Sequence, residues 1–527
     1  MQLVRHDDDL HRCCQCGNRS RDSGGWSLSC GGWSLSSRVC GRRAVRTREP
    51  ILLGRERCPG CRWTHRYAAR VSPQRLLLLV GVPLGLLIAF LAPAWIGYDE
   101  PIHFARAVDM AGGSLFATHE EGLGTPIPAS YSEDTLLVQQ NWVDGNPAWT
   151  AALTGDLLGS SPDGRTVHVD LRPLASPPVA YLPAAVGMLV PVAVDAPGVL
   201  ALWAGRIANL AAYLSLAVLA VRTASAFRWT LAALALLPMH LTLGATISPD
   251  ALTAAALFLV VALWTRVRAD EEIPLWLLVS GTLLLALAKP PYFLVLALLP
   301  VAGFRRRTPE GRLAARVGAG TLGLGLLVTL LNSSAKFQAE ISTMGYGDLD
   351  LQPEVQRERL LGDLPGFVWA SVETWFTELD HYVQAWFRHI VVDSFFPSDL
   401  PGLLSWSFLF LLVAALLRLD RKDFRGLRGS DRWLVGLGAV GMLLLLYSTS
   451  YVYFTDHVDY DTIGEQMARY SAPLLVLMVL GWAPRWVGRS VDRLPVDAAR
   501  IVLAVIPVLA TAAILLTWLV TGTIGRN

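Results

Sequence analysis

Gly97-Tyr-Asp-Glu-Pro-Ile-His-Phe-Ala-Arg-Ala-Val-Asp-Met-Ala-Gly-Gly113 decides how the whole chain is read. It directly follows residues 76–96, an apolar run long enough to cross a bilayer, so the chain leaves the membrane here. Pro101 suits a helix's first turn, where its missing N–H would lack a partner anyway. Asp99 and Glu100 sit at the positive helix end, and Gly112-Gly113 makes a stop. Ile102, Ala105 and Val108 recur at helical spacing, with His103 and Arg106 on the other side. The expectation is a short amphipathic helix on the membrane surface that presents two acids at its start.

Outward from this stretch, the 527-residue chain is 53% apolar and carries further runs of spanning length, which makes it an all-α polytopic membrane protein. Arginine placement orients it. An Arg-rich N-terminal tail lies inside, and the loop 98–176 is poor in Arg and rich in acids, as an external loop should be. Arg222, Arg228, Arg266, Arg268, Arg305 to Arg307, the cluster from Arg418 to Arg432, and Arg485 to Arg493 then fall inside. About eleven spans satisfy every loop: residues 76–96, 200–221, 231–247, 251–265, 275–288, 292–304, 313–331, 403–417, 433–454, 468–483 and 501–520. Residues 177–194, interrupted by Pro183 and Pro191, are read as a partly inserted helix that returns to the outer face. The N-terminus is cytoplasmic, the C-terminus external, and 332–400 is a second large external loop within a membrane domain of 75–525.

Residues 1–70 differ from the rest. They hold all seven cysteines and a tandem repeat, Gly24-Gly-Trp-Ser-Leu-Ser-Cys30 followed by Gly31-Gly-Trp-Ser-Leu-Ser-Ser37. Cys13-x-x-Cys16 and Cys58-x-x-Cys61 are too far apart for the usual two-knuckle zinc pattern. A disordered cytoplasmic extension, or a mis-assigned start, is the expectation.

In this topology Asp99, Glu100, His103, Arg206, Asp250, Lys289 and Arg469 all fall at the external ends of their segments. Charged groups beside spans are costly and serve function or pair with one another. Arg and Lys suit a phosphate, and a carboxylate can take a proton from an attacking hydroxyl. Trp142, Trp149, Trp369, Trp375 and Trp386 could stack on sugar rings. The plainer alternatives are that the acids cap the surface helix, Arg206 snorkels, Lys289 and Arg469 pair with Asp250 or Glu465, and the tryptophans anchor at the interface.

Leu91-Ala-Pro-Ala, Tyr98-Asp-Glu-Pro-x-His-Phe-x-Arg-Ala, Ser176-Pro-Pro-x-x-Tyr181-x-Pro183, Gly205-Arg206-x-x-Asn209, Leu236-Leu-Pro-Met239, Ser248-Pro-Asp250, Lys289-Pro and Arg469-Tyr470-x-x-Pro473 form an ordered set. Over about residues 75–485 it resembles the bacterial multipass proteins grouped as domain-of-unknown-function family 2142. That family is in turn similar in layout to GT-C glycosyltransferases, which use polyprenyl-phosphate sugars. The resemblance implies glycosyl transfer on the external face of the plasma membrane, to a cell-envelope glycan, lipid or protein acceptor. Asp99 is carried over as base or acceptor-binding carboxylate and Glu100 as its partner. His103, Arg206, Asp250, Lys289, Tyr292, Arg469 and Tyr470 are expected to bind substrate. Gln466-Met-Ala-Arg469-Tyr470 is one residue longer than the family's pattern here. Nothing in the sequence demands a cofactor, although Asp99 and Glu100 could take a hard divalent cation. A lipid-glycan flippase or transporter, or a non-catalytic envelope-assembly protein, is the alternative; a transporter would place its polar groups at mid-membrane. The bilayer is a partner and nucleic acid is not.

Overall fold

A computed structural model describes residues 27–30, 33–36, 71–95, 97, 99–115, 125–143, 151–169, 177–306, 308–332, 352–388, 402–455, 458–460, 463, 467–483 and 493–524. The chain divides into two units, Met1–Ala69 and Arg70–Asn527. In the first, β1 (Ser27–Cys30) and β2 (Trp33–Ser36) pair antiparallel, so that the two copies of the repeat face each other. The four cysteines of the zinc reading lie outside the described residues, as does most of the tail expected to be disordered.

The second unit is helical, and its connections follow from proline, glycine and capping residues. Ser72 accepts from the Arg75 N–H to open α1 (Pro73–Leu91), which ends before Pro93. Next come α2 (Glu100–Ala111), then β3 (Thr125–Pro128), α3 (Ala129–Val143), α4 (Ala151–Gly159) and β4 (Thr166–Val169), with β3 and β4 antiparallel. A single 3-10 turn, Pro178–Ala180, leads into α5 (Leu182–Ala193) and then α6 (Gly198–Thr223). The chain continues through α7 (Arg228–Ala235), α8 (Pro238–Ala245), α9 (Pro249–Arg268) and α10 (Leu275–Ala288). A 3-10 stretch, Tyr292–Ala297, precedes α11 (Leu298–Arg306) and α12 (Pro309–Asn332). Then follow α13 (Pro353–Gly362), α14 (Leu364–Thr377), α15 (Leu379–Arg388), α16 (Gly402–Leu419), α17 (Arg421–Gly426) and α18 (Gly429–Phe454). The last elements are α19 (Met467–Ser471), a 3-10 turn at Ala472–Leu474, α20 (Leu475–Trp482) and α21 (Val496–Ile524).

Seven described helices, α1, α6, α9, α12, α16, α18 and α21, are long and apolar enough to cross a membrane. The remaining stretches expected to span are short or broken. Residues 231–247 divide into α7 and α8 at Pro238, which has no N–H to continue the ladder. Residues 292–304 begin as 3-10 helix, and 468–483 are interrupted beside Pro473. Leu78, Leu79, Val82, Leu87 and Phe90 on α1, and Phe410 and Leu411 on α16, point outward and exposed. Apolar faces of this kind suit lipid rather than water.

Broken backbone inside a membrane must find partners within the protein. Here α6 supplies them from one face, because Arg206, Asn209 and Tyr213 follow one another at helical spacing. The Arg206 guanidinium donates to the carbonyls of Ala89, Ala92 and Pro93 at 3.0, 2.9 and 2.9 Å, where α1 ends. Asn209 donates to the Thr246 carbonyl at 2.7 Å, at the end of α8. The Tyr213 hydroxyl reaches the Ala235 carbonyl at 2.7 Å, at the end of α7. His240 Nδ1 meets the neighbouring Leu234 carbonyl at 2.7 Å.

Every residue of α9 except Arg266 and Arg268 is buried, so this all-round apolar helix is the axis of the unit. It is about 30 Å long at 1.5 Å per residue and carries its charge only at its ends. At the far end Arg268 pairs with Asp431 at 2.9 Å, Arg305 joins the same carboxylate at 3.1 Å, and Arg306 meets Asp270 at 2.9 Å. The near end begins at Ser248-Pro249-Asp250, where Ser248 Oγ caps the Asp250 N–H at 3.2 Å.

The stretch 97–113 forms its helix over the expected residues, with Gly112 closing it and Gly113 at a φ of 108°. Its setting differs from the expectation. The polar side is packed into protein together with the apolar side, and Glu100, His103, Arg106 and Asp109 are all buried. Arg106 pairs with Asp109 and donates to the Ser114 and Leu115 carbonyls, the latter at 2.6 Å. Arg106 and Asp109 thus find partners within the helix and the loop that follows it, whereas Glu100 and His103 find theirs in Arg206 and Tyr181.

Candidate functional site

Two acids adjacent in sequence turn to different arginines. Glu100 is held by Arg206: Nε donates to Oε1 at 2.8 Å and Nη2 to Oε2 at 2.5 Å, with both side chains fully buried. The backbone N–H groups of Ile247 and Gly97 also donate to Glu100, at 3.0 and 3.2 Å. With the three carbonyls of α1, all five N–H groups of Arg206 are used. Glu100 and Arg206 thus tie the end of α1, the start of α2, α6 and the α8–α9 joint into one knot.

Asp99 caps nothing. It stands in the left-handed region, with φ 50°, and its side chain leaves the helix axis toward Arg469, whose Nη2 donates to Oδ2 at 2.5 Å. The Arg469 guanidinium beside Asp99 holds its carboxyl down at about 2, outweighing the opposing effect of burial. Asp99 and Glu100 therefore do not share a seat for a divalent cation, and no group of three or more His, Cys, Asp or Glu side chains suited to a metal occurs among the described residues.

Around the Asp99–Arg469 pair, four further segments converge. Asp250 lies in the first turn of α9, a favourable place for an acid, and Lys289 follows the last turn of α10, a favourable place for a cation. The two meet at 2.5 Å. Pro290-Pro291 ends α10 at this point, because the residue before a proline resists the helical conformation. The Tyr470 ring lies beside both cations, with Lys289 Nζ 4.3 Å and the Arg469 guanidinium carbon 4.6 Å from its centroid. Arg469 also donates to the Tyr470 hydroxyl, and the Tyr292 hydroxyl fixes the Tyr470 carbonyl at 2.6 Å. His103, one turn beyond Asp99, contacts the Tyr181 hydroxyl through Nδ1 at 3.0 Å. Burial pushes His103 down to about 4, so its ring is neutral at pH 7. The charges of Asp99, Asp250, Lys289 and Arg469 all act on it.

The structure thus brings Asp99, His103, Asp250, Lys289, Tyr292, Arg469 and Tyr470 together at one end of α9, and sets Glu100 and Arg206 apart from them as a closed pair. Tyr181 was missed as a residue of the site, although it stands in the Ser176-Pro-Pro-x-x-Tyr181 motif. Among the tryptophans, Trp386 is buried and donates to the Ala468 carbonyl and Ser471 Oγ, both at 3.2 Å, so it anchors α19 instead of facing a ligand. Trp375 packs on Trp386, and Trp369 is exposed. Trp149 and the side chain of Trp142 lie outside the described residues.

A helical bundle with several membrane-length helices is the architecture of a multipass membrane protein, and its acids and bases gather at one end of the buried axis. Residues 83–478 match the family described as predicted membrane protein (DUF2142), and the chain belongs to it. No curated protein and no solved structure matches the chain significantly.

Proposed function

We propose that the protein is a glycosyltransferase of GT-C type in the plasma membrane. It would move a sugar from a polyprenyl-phosphate donor to a cell-envelope acceptor on the external face, where the loops 98–176 and 332–400 lie. The N-terminus would be cytoplasmic and the C-terminus external. The observation that carries this reading is a pair of cations flanking the Tyr470 ring at one end of an otherwise apolar bundle axis, Arg469 held by the half-exposed Asp99 and Lys289 by the buried Asp250.

In the proposed reaction an acceptor hydroxyl oxygen attacks the anomeric carbon of the sugar. Its proton passes to Asp99. The bond from that carbon to the phosphate oxygen breaks, and its electron pair leaves with the polyprenyl phosphate. Lys289 and Arg469 neutralise the charge that develops there. A single displacement of this kind inverts the anomeric centre. Glu100 and Arg206 act as positioning residues, because the knot they form leaves no donor for a ligand and fixes the backbone at Asp99. Tyr292 and Tyr470 orient the two cations, and His103 with Tyr181 forms the neutral wall beside Asp99.

The transporter reading is less well supported, since the middle of α9 carries no charged group that could meet a substrate at mid-membrane. The test is the fate of the donor in cells. Membranes carrying Lys289→Gln should accumulate labelled polyprenyl-phosphate sugar that wild-type membranes discharge. Equal donor levels in both would remove the glycosyltransferase reading.

A further inference from the structure

Each cation of the site has an acid, but the two acids are not equivalent. The Asp99 side chain is 48% exposed, whereas that of Asp250 is 4% exposed. A carboxylate open to solvent loses little when its partner is taken away, because water and salt screen it. A buried carboxylate that loses its partner is left as an uncompensated charge, which is strongly unfavourable. The cations differ as well. Lys289 has three N–H donors on a flexible stem, so it can keep Asp250 and still offer donors to a ligand. Arg469 holds Asp99 through the same Nη2 that also reaches the Tyr470 hydroxyl.

We propose, on the basis of the phosphate-binding reading above, that Asp99 is a resident counter-ion of Arg469 which the incoming phosphate displaces, while Asp250 stays with Lys289 as its fixed anchor. The exchange has a consequence for the chemistry. A carboxylate held against a guanidinium is a poor proton acceptor, since the pairing stabilises its charged form. Once the phosphate occupies Arg469, Asp99 is released half into solvent and regains its ordinary basicity beside the sugar that has just arrived. Donor binding thereby switches on the base, and without a donor the site does not activate a hydroxyl. Asp99 and the phosphate compete for the Nη2 edge of Arg469, and the exchange needs only a turn of the Asp99 side chain. Asp99 is also placed to swing freely, since as the N-cap residue of α2 its side chain caps nothing.

The sign of one substitution tests this. Binding of farnesyl phosphate, and separately of inorganic phosphate, is measured by calorimetry on the purified full chain in detergent. Asp99→Asn removes the competitor and should tighten binding by about five- to tenfold, the scale of one partly exposed charge pair. Asp99→Ser, which keeps no amide to mimic the pairing, should do the same. Asp250→Asn should weaken binding, because Lys289 loses its anchor. Farnesyl phosphate that binds well while inorganic phosphate does not assigns the anion to a lipid headgroup, and equal binding assigns it to a soluble phosphate; in either case it is tighter binding by both Asp99 variants that supports the exchange. Weaker or unchanged binding in both Asp99 variants, with wild type still binding, would overturn the exchange and leave the phosphate site intact. If wild type binds neither probe, and Arg469→Gln behaves identically, the phosphate reading itself falls and the exchange with it.

Discussion

Glu100 and Arg206, 106 positions apart in sequence, are joined by two hydrogen bonds of 2.8 and 2.5 Å with no solvent access to either side chain. Removing one partner would leave the other as a buried, unpaired charge, at a cost of about 3–5 kcal/mol. Glu100→Gln and Arg206→Met are therefore expected to lower the melting temperature and membrane yield sharply. The double variant should recover part of the loss, because no lone charge remains. A melting temperature in detergent that is unchanged by either single variant would show that the pair does not hold the fold.

The donors that α6 offers to neighbouring helix ends lead to a graded expectation. Tyr213→Phe deletes only the hydroxyl at the Ala235 carbonyl and should cost about 1–3 kcal/mol through that unsatisfied acceptor. Asn209→Leu removes the amide from the joint between α8 and α9 and should cost at least as much, with a chain of similar bulk left in place. Thermal unfolding of the two variants ranks them, and a Tyr213→Phe protein as stable as wild type would remove this role for α6.

Acid should weaken the protein through His103. Its folded-state value of about 4 lies below the ordinary 6.5, so the unfolded chain takes up the proton first as pH falls. The stability associated with the neutral ring is present above 6.5 and is lost as pH drops from 6.5 toward 4. Asp99 acts in the same direction at lower pH, because its value of about 2 lies below 3.8, and its contribution disappears between these two. Melting temperatures of wild type and His103→Gln between pH 7 and 4.5 separate the effects. The variant should show the flatter profile, and parallel profiles would exclude His103 as the source.

Tyr292→Phe loses the bond to the Tyr470 carbonyl and leaves the cations in place. Donor affinity should fall by about threefold to tenfold, as expected for one neutral hydrogen bond, and the melting temperature should fall less than for Tyr213→Phe, because the Tyr470 carbonyl belongs to a part-buried pair that water can reach. Arg469→Lys keeps the charge without the planar fork and should retain a small part of the activity, where Arg469→Gln retains none. Equal activities in the two Arg469 variants would mean that charge at this position is unimportant.

Much of this site was legible because the polar residues mark helix ends. Asp250 after Ser248-Pro249, Lys289 before Pro290-Pro291, and Arg469 before Pro473 each stand where a helix starts or stops, and orientation by arginine counts placed all three ends together. What sequence could not supply was pairing. Asp99 and Glu100 are neighbours, yet the left-handed backbone at Asp99 sends one to Arg469 and the other to Arg206, and nothing local announces that conformation in an aspartate. The burial of α2 was hidden for a related reason. Its polar side looks amphipathic until Tyr181 and the carbonyls of Ser114 and Leu115 are seen to meet it. Periodicity and hydropathy also overstate regularity, as in residues 231–247 and 292–304, where proline breaks or 3-10 geometry replace a single spanning helix.

The most direct test of the account is single-turnover transfer in proteoliposomes loaded with polyprenyl-phosphate sugar, with free polyprenyl phosphate measured as the product. Wild type should release it with acceptor present, and Asp99→Asn should release it at least about 100-fold more slowly despite binding the donor as tightly or more so. Undiminished release by Asp99→Asn would contradict the assignment of Asp99 as the group that takes the proton.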